Sequence, residues 1–103
     1  MESELKQYYF VMLLKGPVRD QDEKTASDIQ KAHLEYLDKL KKDGELLVSG
    51  PFADDADWRG ILIFDVESEA KAESFVRSDP AVISGRLSYE IHPWLTTKGG
   101  IFN

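Results

Sequence analysis

Apolar positions fall into six segments along the chain, and their spacing changes from one to the next. From Tyr8 to Leu14 the run is continuous and aromatic-rich, which predicts a strand covered on both faces. Lys15-Gly16-Pro17 closes it, and the polar stretch that follows reads as an exposed loop, with Val18 to Lys24 long enough to lie over a site. From Thr25 to Lys42, Ile29, Ala32, Tyr36, Leu37 and Leu40 recur at helical spacing. Thr25 or Ser27 can cap this helix, and Lys41, Lys42 and Gly44 mark its end. Glu45 to Val48 predicts a short strand stopped at Ser49-Gly50-Pro51. The acidic turn Ala53 to Asp57 then leads into a third strand, Trp58 to Val66, to form an antiparallel hairpin. Ser68 caps a second helix, Glu69 to Arg77, with Ala72, Phe75 and Val76 inward, and Asp79-Pro80 breaks it. Arg86 to His92 alternates strictly, Leu87, Tyr89 and Ile91 against Ser88, Glu90 and His92. Beyond Pro93-Trp94 the tail, with Gly99 and Gly100, shows no period.

The order β-α-β-β-α-β is the split βαβ, ferredoxin-like pattern: an α+β domain with two helices on one face of a four-stranded antiparallel sheet. The 103 residues accommodate one such domain, with its core from Tyr8 to Trp94. Strands one and three are apolar on both faces, yet the helices cover only one. A second copy packed sheet against sheet would hide the remainder, so the pattern predicts a homodimer, a dimeric α+β barrel.

Composition narrows the function classes. The net charge is −6 and the basic residues are scattered, which argues against nucleic acid, where phosphates need a basic patch. No apolar run approaches the ~18 residues of a membrane span. The opening MESELKQ has no basic-then-apolar signal pattern, so a cytoplasmic location is expected. The absence of cysteine excludes disulfides, thiol catalysis and zinc–sulfur sites. With only His33 and His92 and no metal-binding spacing, neither metal nor cofactor is expected. Asp54, Asp55 and Asp57 read as a solvated turn, lacking the glycine and terminal glutamate of a calcium loop.

One residue breaks the helical pattern. His33 falls inside the apolar stripe of the first helix, where an unpartnered imidazole would cost roughly 1–3 kcal/mol. It is either a core histidine bonded to backbone or water, or a general base on the floor of a cleft. Asp79 is either the cap of a short turn that starts at Pro80 and closes at Gly85, or the carboxylate that orients His33. Both helices share one sheet face, so the two can meet. Ser49 before Gly50-Pro51 is either a plain turn or a hydroxyl and backbone N–H groups aimed into that cleft. His92, on the polar side of the last strand, suits a rim or interface.

The ordered set YYFVMLLKGP, His33-Leu34 in AHLEYLDKL, Gly44-x-Leu46-Leu47-Val48-Ser49-Gly50-Pro51-Phe52, Asp54-Asp55, RGILIF, Asp79-Pro80-Ala81-Val82 and Glu90-Ile91-His92-Pro93-Trp94 resembles the YciI-like (YCII-related) family. The resemblance implies a ferredoxin-like fold that dimerises through its sheets. It also implies a histidine and aspartate paired in a cleft, here His33 and Asp79, with the Ser49-Gly50-Pro51 loop lining it. Some members resemble lyases that remove halide from hydroxylated aromatics, and lactone isomerases share the fold. The resulting expectation is a lyase or isomerase in which neutral His33 takes a proton, Asp79 orients it, and Ser49-Gly50 stabilises negative charge. Tyr8, Phe52 and Trp94 would form its apolar walls. The alternatives are a non-catalytic dimeric module that binds a small ligand, and oxygen chemistry with haem on His33 or His92, for which no local signature exists.

Overall fold

A computed structural model describes residues 4–97. Its elements are β1 (Leu5–Lys15), α1 (Glu23–Lys42), β2 (Leu46–Pro51), β3 (Trp58–Phe64), α2 (Glu69–Arg77), α3 (Pro80–Ile83) and β4 (Leu87–Thr97). The strands form one antiparallel sheet in the order β2-β3-β1-β4, the ferredoxin-like α+β arrangement of the dimeric α+β barrel class. No helix among the described residues is long and apolar enough to cross a membrane.

Element boundaries shift where local chemistry outweighs the simple stop signals. The first helix starts before Thr25 and Ser27, because the Asp22 side chain accepts from Thr25 N at 2.7 Å and caps it. The second strand does not stop at Ser49 but runs through Pro51, and the fourth passes through Pro93 to Thr97. Both are edge strands, which need ladder hydrogen bonds on one side only and so tolerate proline. Gly99 and Gly100 lie outside the described residues. The turn expected after Asp79 is one helical turn, α3, with Pro80 first and Asp79 as its cap.

Strand alternation divides the sheet into two unlike faces. Tyr9, Val11 and Leu13 of β1 stand in register with Phe64, Leu62 and Gly60 of β3. With Leu37 and Leu40 of α1 and Ala72 and Val76 of α2 they make the core. Tyr8, Phe10, Met12 and Leu14 project to the opposite face, beside Trp94, His92, Glu90 and Ser88 of β4. Among the described residues no helix packs there. Tyr8 is nevertheless only 4% exposed, with the Lys6 ammonium 5.2 Å from its ring centre.

The chain between β1 and α1 is fixed by a close backbone approach. Gly85 adopts φ 83°, and a Cβ at Gly16 would stand 2.1 Å from the Gly85 carbonyl oxygen. Across this contact Gly16 N donates to Arg86 O at 2.8 Å and Val18 N to Gly85 O at 3.0 Å. The polar loop is therefore tied to the start of β4 while Val18, Arg19 and Asp20 stay exposed, as expected.

Candidate active site

The core under α1 is incomplete at one end, leaving a cavity of about 350 Å³. Its apolar wall is Leu13, Leu37 and Leu62, all buried. His33 enters from α1, and Ser49, Gly50 and Pro51 enter from β2. Strand register explains the last three: Ser49 opposes Leu62 and Pro51 opposes Gly60, both on the helix side of the sheet. Gly60 supplies no side chain, and a Cβ there would stand 2.8 Å from the Gly50 carbonyl oxygen.

His33 Nδ1 lies 2.6 Å from Asp79 Oδ2, and the two residues are 7% and 1% exposed. Asp79 is held by its second role, since Oδ1 accepts from Ala81 N at 2.8 Å as the cap of α3. One oxygen thus fixes the carboxylate to the backbone and the other faces the imidazole. With the carboxylate accepting, Nδ1 carries hydrogen and Nε2 carries the lone pair. Nε2 has no partner among the described residues. No buried side-chain nitrogen or oxygen there lacks a partner, so Nε2 is not sealed in but opens on the cavity that His33 lines. The geometry unites the two readings of Asp79, as cap and as partner of His33. Tyr36, one turn along α1, is pushed above its ordinary value by burial and then by the Asp79 charge.

Ser49 is half-buried, and its hydroxyl makes no hydrogen bond among the described residues. The expected apolar walls lie elsewhere. Tyr8 and Trp94 face each other across β1 and β4 on the opposite sheet face, with the Trp94 ring edge-on to Phe10 at 6.3 Å. Phe52 follows Pro51, so alternation turns it away from the cavity, and its ring centre sits 6.2 Å from that of Trp58. His92 is exposed on the Tyr8 face, with Nε2 3.5 Å from Glu90 Oε1. No group of three or more metal-binding side chains occurs among the described residues.

Sequence reasoning missed the basic part of the lining: Arg19, Arg59 and Arg86. They come from three separated segments. The one local cause is at Arg59, where β1 pairs Leu13 with Gly60 and Leu14 with Trp58. Arg59 is the extra residue of a β-bulge, a feature that re-aims side chains.

The profile of the YCII-related domain matches residues 9–95. The uncharacterized protein YjpA of Bacillus subtilis (strain 168) is 32% identical over 66 residues, 64% of this chain and 75% of YjpA. Among solved structures, the 5-chloro-2-hydroxyhydroquinone dehydrochlorinase TftG from Burkholderia phenoliruptrix AC1100, in complex with 2,5-dihydroxybenzoquinone, superposes with a TM-score of 0.62. That match is 29% identical and covers 84% of this chain and 92% of TftG. A muconolactone isomerase superposes with a TM-score of 0.72 over 93% of this chain and 96% of its own, at 16% identity, which speaks for the fold alone.

Proposed function

Because the chain belongs to the YCII-related domain family, we propose that it is a small-molecule lyase or isomerase in which the His33–Asp79 pair removes a proton from a ring compound. The observation that carries this reading is Nε2 of His33, free on the cavity side while Nδ1 is held by Asp79 at 2.6 Å. Nε2 takes the substrate proton. In an elimination the released electron pair forms the new double bond and the halide leaves with its own pair; in an isomerisation the proton returns to another carbon. Asp79 keeps the lone pair on Nε2 and stabilises the imidazolium that forms. The Ser49 hydroxyl and the adjoining backbone N–H groups offer hydrogen bonds to the developing oxyanion. The dehydrochlorination named for TftG, at 29% identity, supports a hydroxylated or halogenated ring as substrate.

The test is a panel of chlorinated hydroxyhydroquinones and unsaturated ring lactones, read by halide release and solvent deuterium uptake. His33→Asn is the informative variant, since its amide still donates to Asp79 but supplies no base. It should lower turnover by about 10²–10⁴-fold with the fold retained. A His33→Asn protein as active as the parent would end the proposal. A wholly inert panel would favour the non-catalytic ligand-binding module.

We further propose that the helix-free sheet face pairs with the same face of a second copy. Phe10, Met12, Leu14, Ile61 and Trp94, all half-buried, form a contiguous apolar surface there, of a kind that single chains rarely leave in water. On this reading His92 and exposed Trp58 belong to the rim of the dimer interface.

A further inference from the structure

The cavity has the opposite electrical character to the chain that forms it. The protein carries a net charge of −6, yet Arg19, Arg59 and Arg86 line the cavity and no aspartate or glutamate does. Each guanidinium is fixed by groups that leave most of its five N–H donors free. Arg19 Nη1 donates to the Arg86 carbonyl, Arg86 Nη1 to Gln21 Oε1 at 2.8 Å, and Arg59 Nη1 to Ala56 O at 3.0 Å. Among the described residues the one carboxylate within ion-pair distance of any of them is Asp55, 3.5 Å from Arg59 and 95% exposed at its side chain, where an ion pair contributes little. Among the described residues, Arg19 and Arg86 pair with no carboxylate. The Arg19 guanidinium is held below its ordinary value first by partial burial and then by repulsion from Arg86 and Arg59. Three like charges gathered around one exposed carboxylate are unfavourable unless an anion joins them.

We propose that the cavity takes a ring compound bearing a carboxylate, whose acid group is held by Arg19 and Arg86 while its ring lies over Leu13, Leu37 and Leu62 toward His33. Burial sets this polarity, since Arg19 is exposed at the mouth whereas His33 and the three leucines are buried. A planar guanidinium fork matches a planar carboxylate, and the chain has no glycine-rich loop to cradle a phosphate. A volume of about 350 Å³ suits a single substituted ring. The proposal rests on the cavity being the substrate site, but not on catalysis there.

The test is binding without turnover. Calorimetric titration at fixed ionic strength compares benzoate, its neutral isostere benzamide, and inorganic phosphate. Benzoate should bind at least about tenfold more tightly than benzamide, as charge-assisted hydrogen bonds require, and should weaken as salt rises. Arg19→Gln and Arg86→Gln should each remove most of that preference. Arg86→Lys should keep part of it, which separates charge from the tie to Gln21. Equal binding of benzoate and benzamide, or a preference untouched in both glutamine variants, overturns the inference. Phosphate binding as tightly as benzoate overturns the carboxylate assignment. His33→Asn should retain the preference. An intact preference with an inert substrate panel therefore sinks the catalytic reading alone, whereas turnover without charge preference sinks this one alone.

Discussion

The two faces of one sheet, built from the same four strands, differ in what covers them. On the helix side, Val11, Leu13, Leu62 and Phe64 are buried under α1 and α2, and a gap in that cover is lined by His33, Ser49 and three arginines. On the other side, Phe10, Met12, Leu14 and Ile61 stand one residue away, and no helix among the described residues covers them. A period-two backbone lets neighbouring residues serve different ends, so a residue's sequence neighbours reveal little about the face on which it acts. Tyr8 and Tyr9 are adjacent and both buried, yet only Tyr9 belongs to the core beneath the helices.

The sharpest way to break this comparison is a charge on the uncovered face. Ile61→Glu places two like carboxylates near a two-fold interface, where burying unpaired charge costs several kcal/mol. Light scattering should fall from twice the chain mass to a single chain mass, while benzoate affinity in the cavity remains that of the parent. A parent protein that already scatters as one chain at micromolar concentration would remove the dimer. A variant that loses its benzoate affinity would show that the two faces are not independent.

A smaller effect tests the cavity side. Gly60→Ala puts a methyl group 2.8 Å from the Gly50 carbonyl oxygen, so β2 must move. The expected loss is about 1–3 kcal/mol of stability, measured by urea unfolding, together with weaker ligand binding from a displaced Ser49-Gly50-Pro51 edge. An unchanged unfolding midpoint would mean that β2 yields freely and that the edge is not rigidly positioned.

The order and type of the main elements, and His33 and Asp79 as separate conspicuous residues, were legible because each rests on a local signal, whereas their pairing was an expectation from the family resemblance alone. Helical and alternating periods identify the elements, an imidazole in an apolar stripe is conspicuous, and Asp-Pro is a cap motif. Strand ends were harder, because Pro51 and Pro93 stop a central strand but not an edge, and edge position depends on the finished topology. The cavity walls were misassigned for a related reason. Tyr8, Phe52 and Trp94 are apolar enough for a binding site, but which face each occupies depends on register. Arg19, Arg59 and Arg86 left almost no trace. They converge through the Gly16–Gly85 contact and the bulge at Arg59, and neither can be recognised before the strands are paired.

The gentlest perturbation concerns the clasp that holds the helices over the cavity side. Tyr36 of α1 donates its hydroxyl to Phe75 O of α2 at 2.7 Å, and Tyr89 of β4 donates to Glu73 at 2.9 Å. Both phenols are raised above the ordinary value of 10.0, each chiefly by burial, Tyr36 then by Asp79 and Tyr89 then by its bond to Glu73. An acid whose folded value is raised binds its proton longer in the folded state than in the unfolded one. Its contribution is therefore complete below pH 10 and is lost as pH rises through the folded value. Urea stability should accordingly decline above about pH 10. Tyr36→Phe should lose about 0.5–1.5 kcal/mol at pH 8 and flatten the alkaline decline, because one of the two ionising phenols is gone. A decline equally steep in the variant would assign the alkaline loss to other groups and leave Tyr36 as a simple packing residue between the helices.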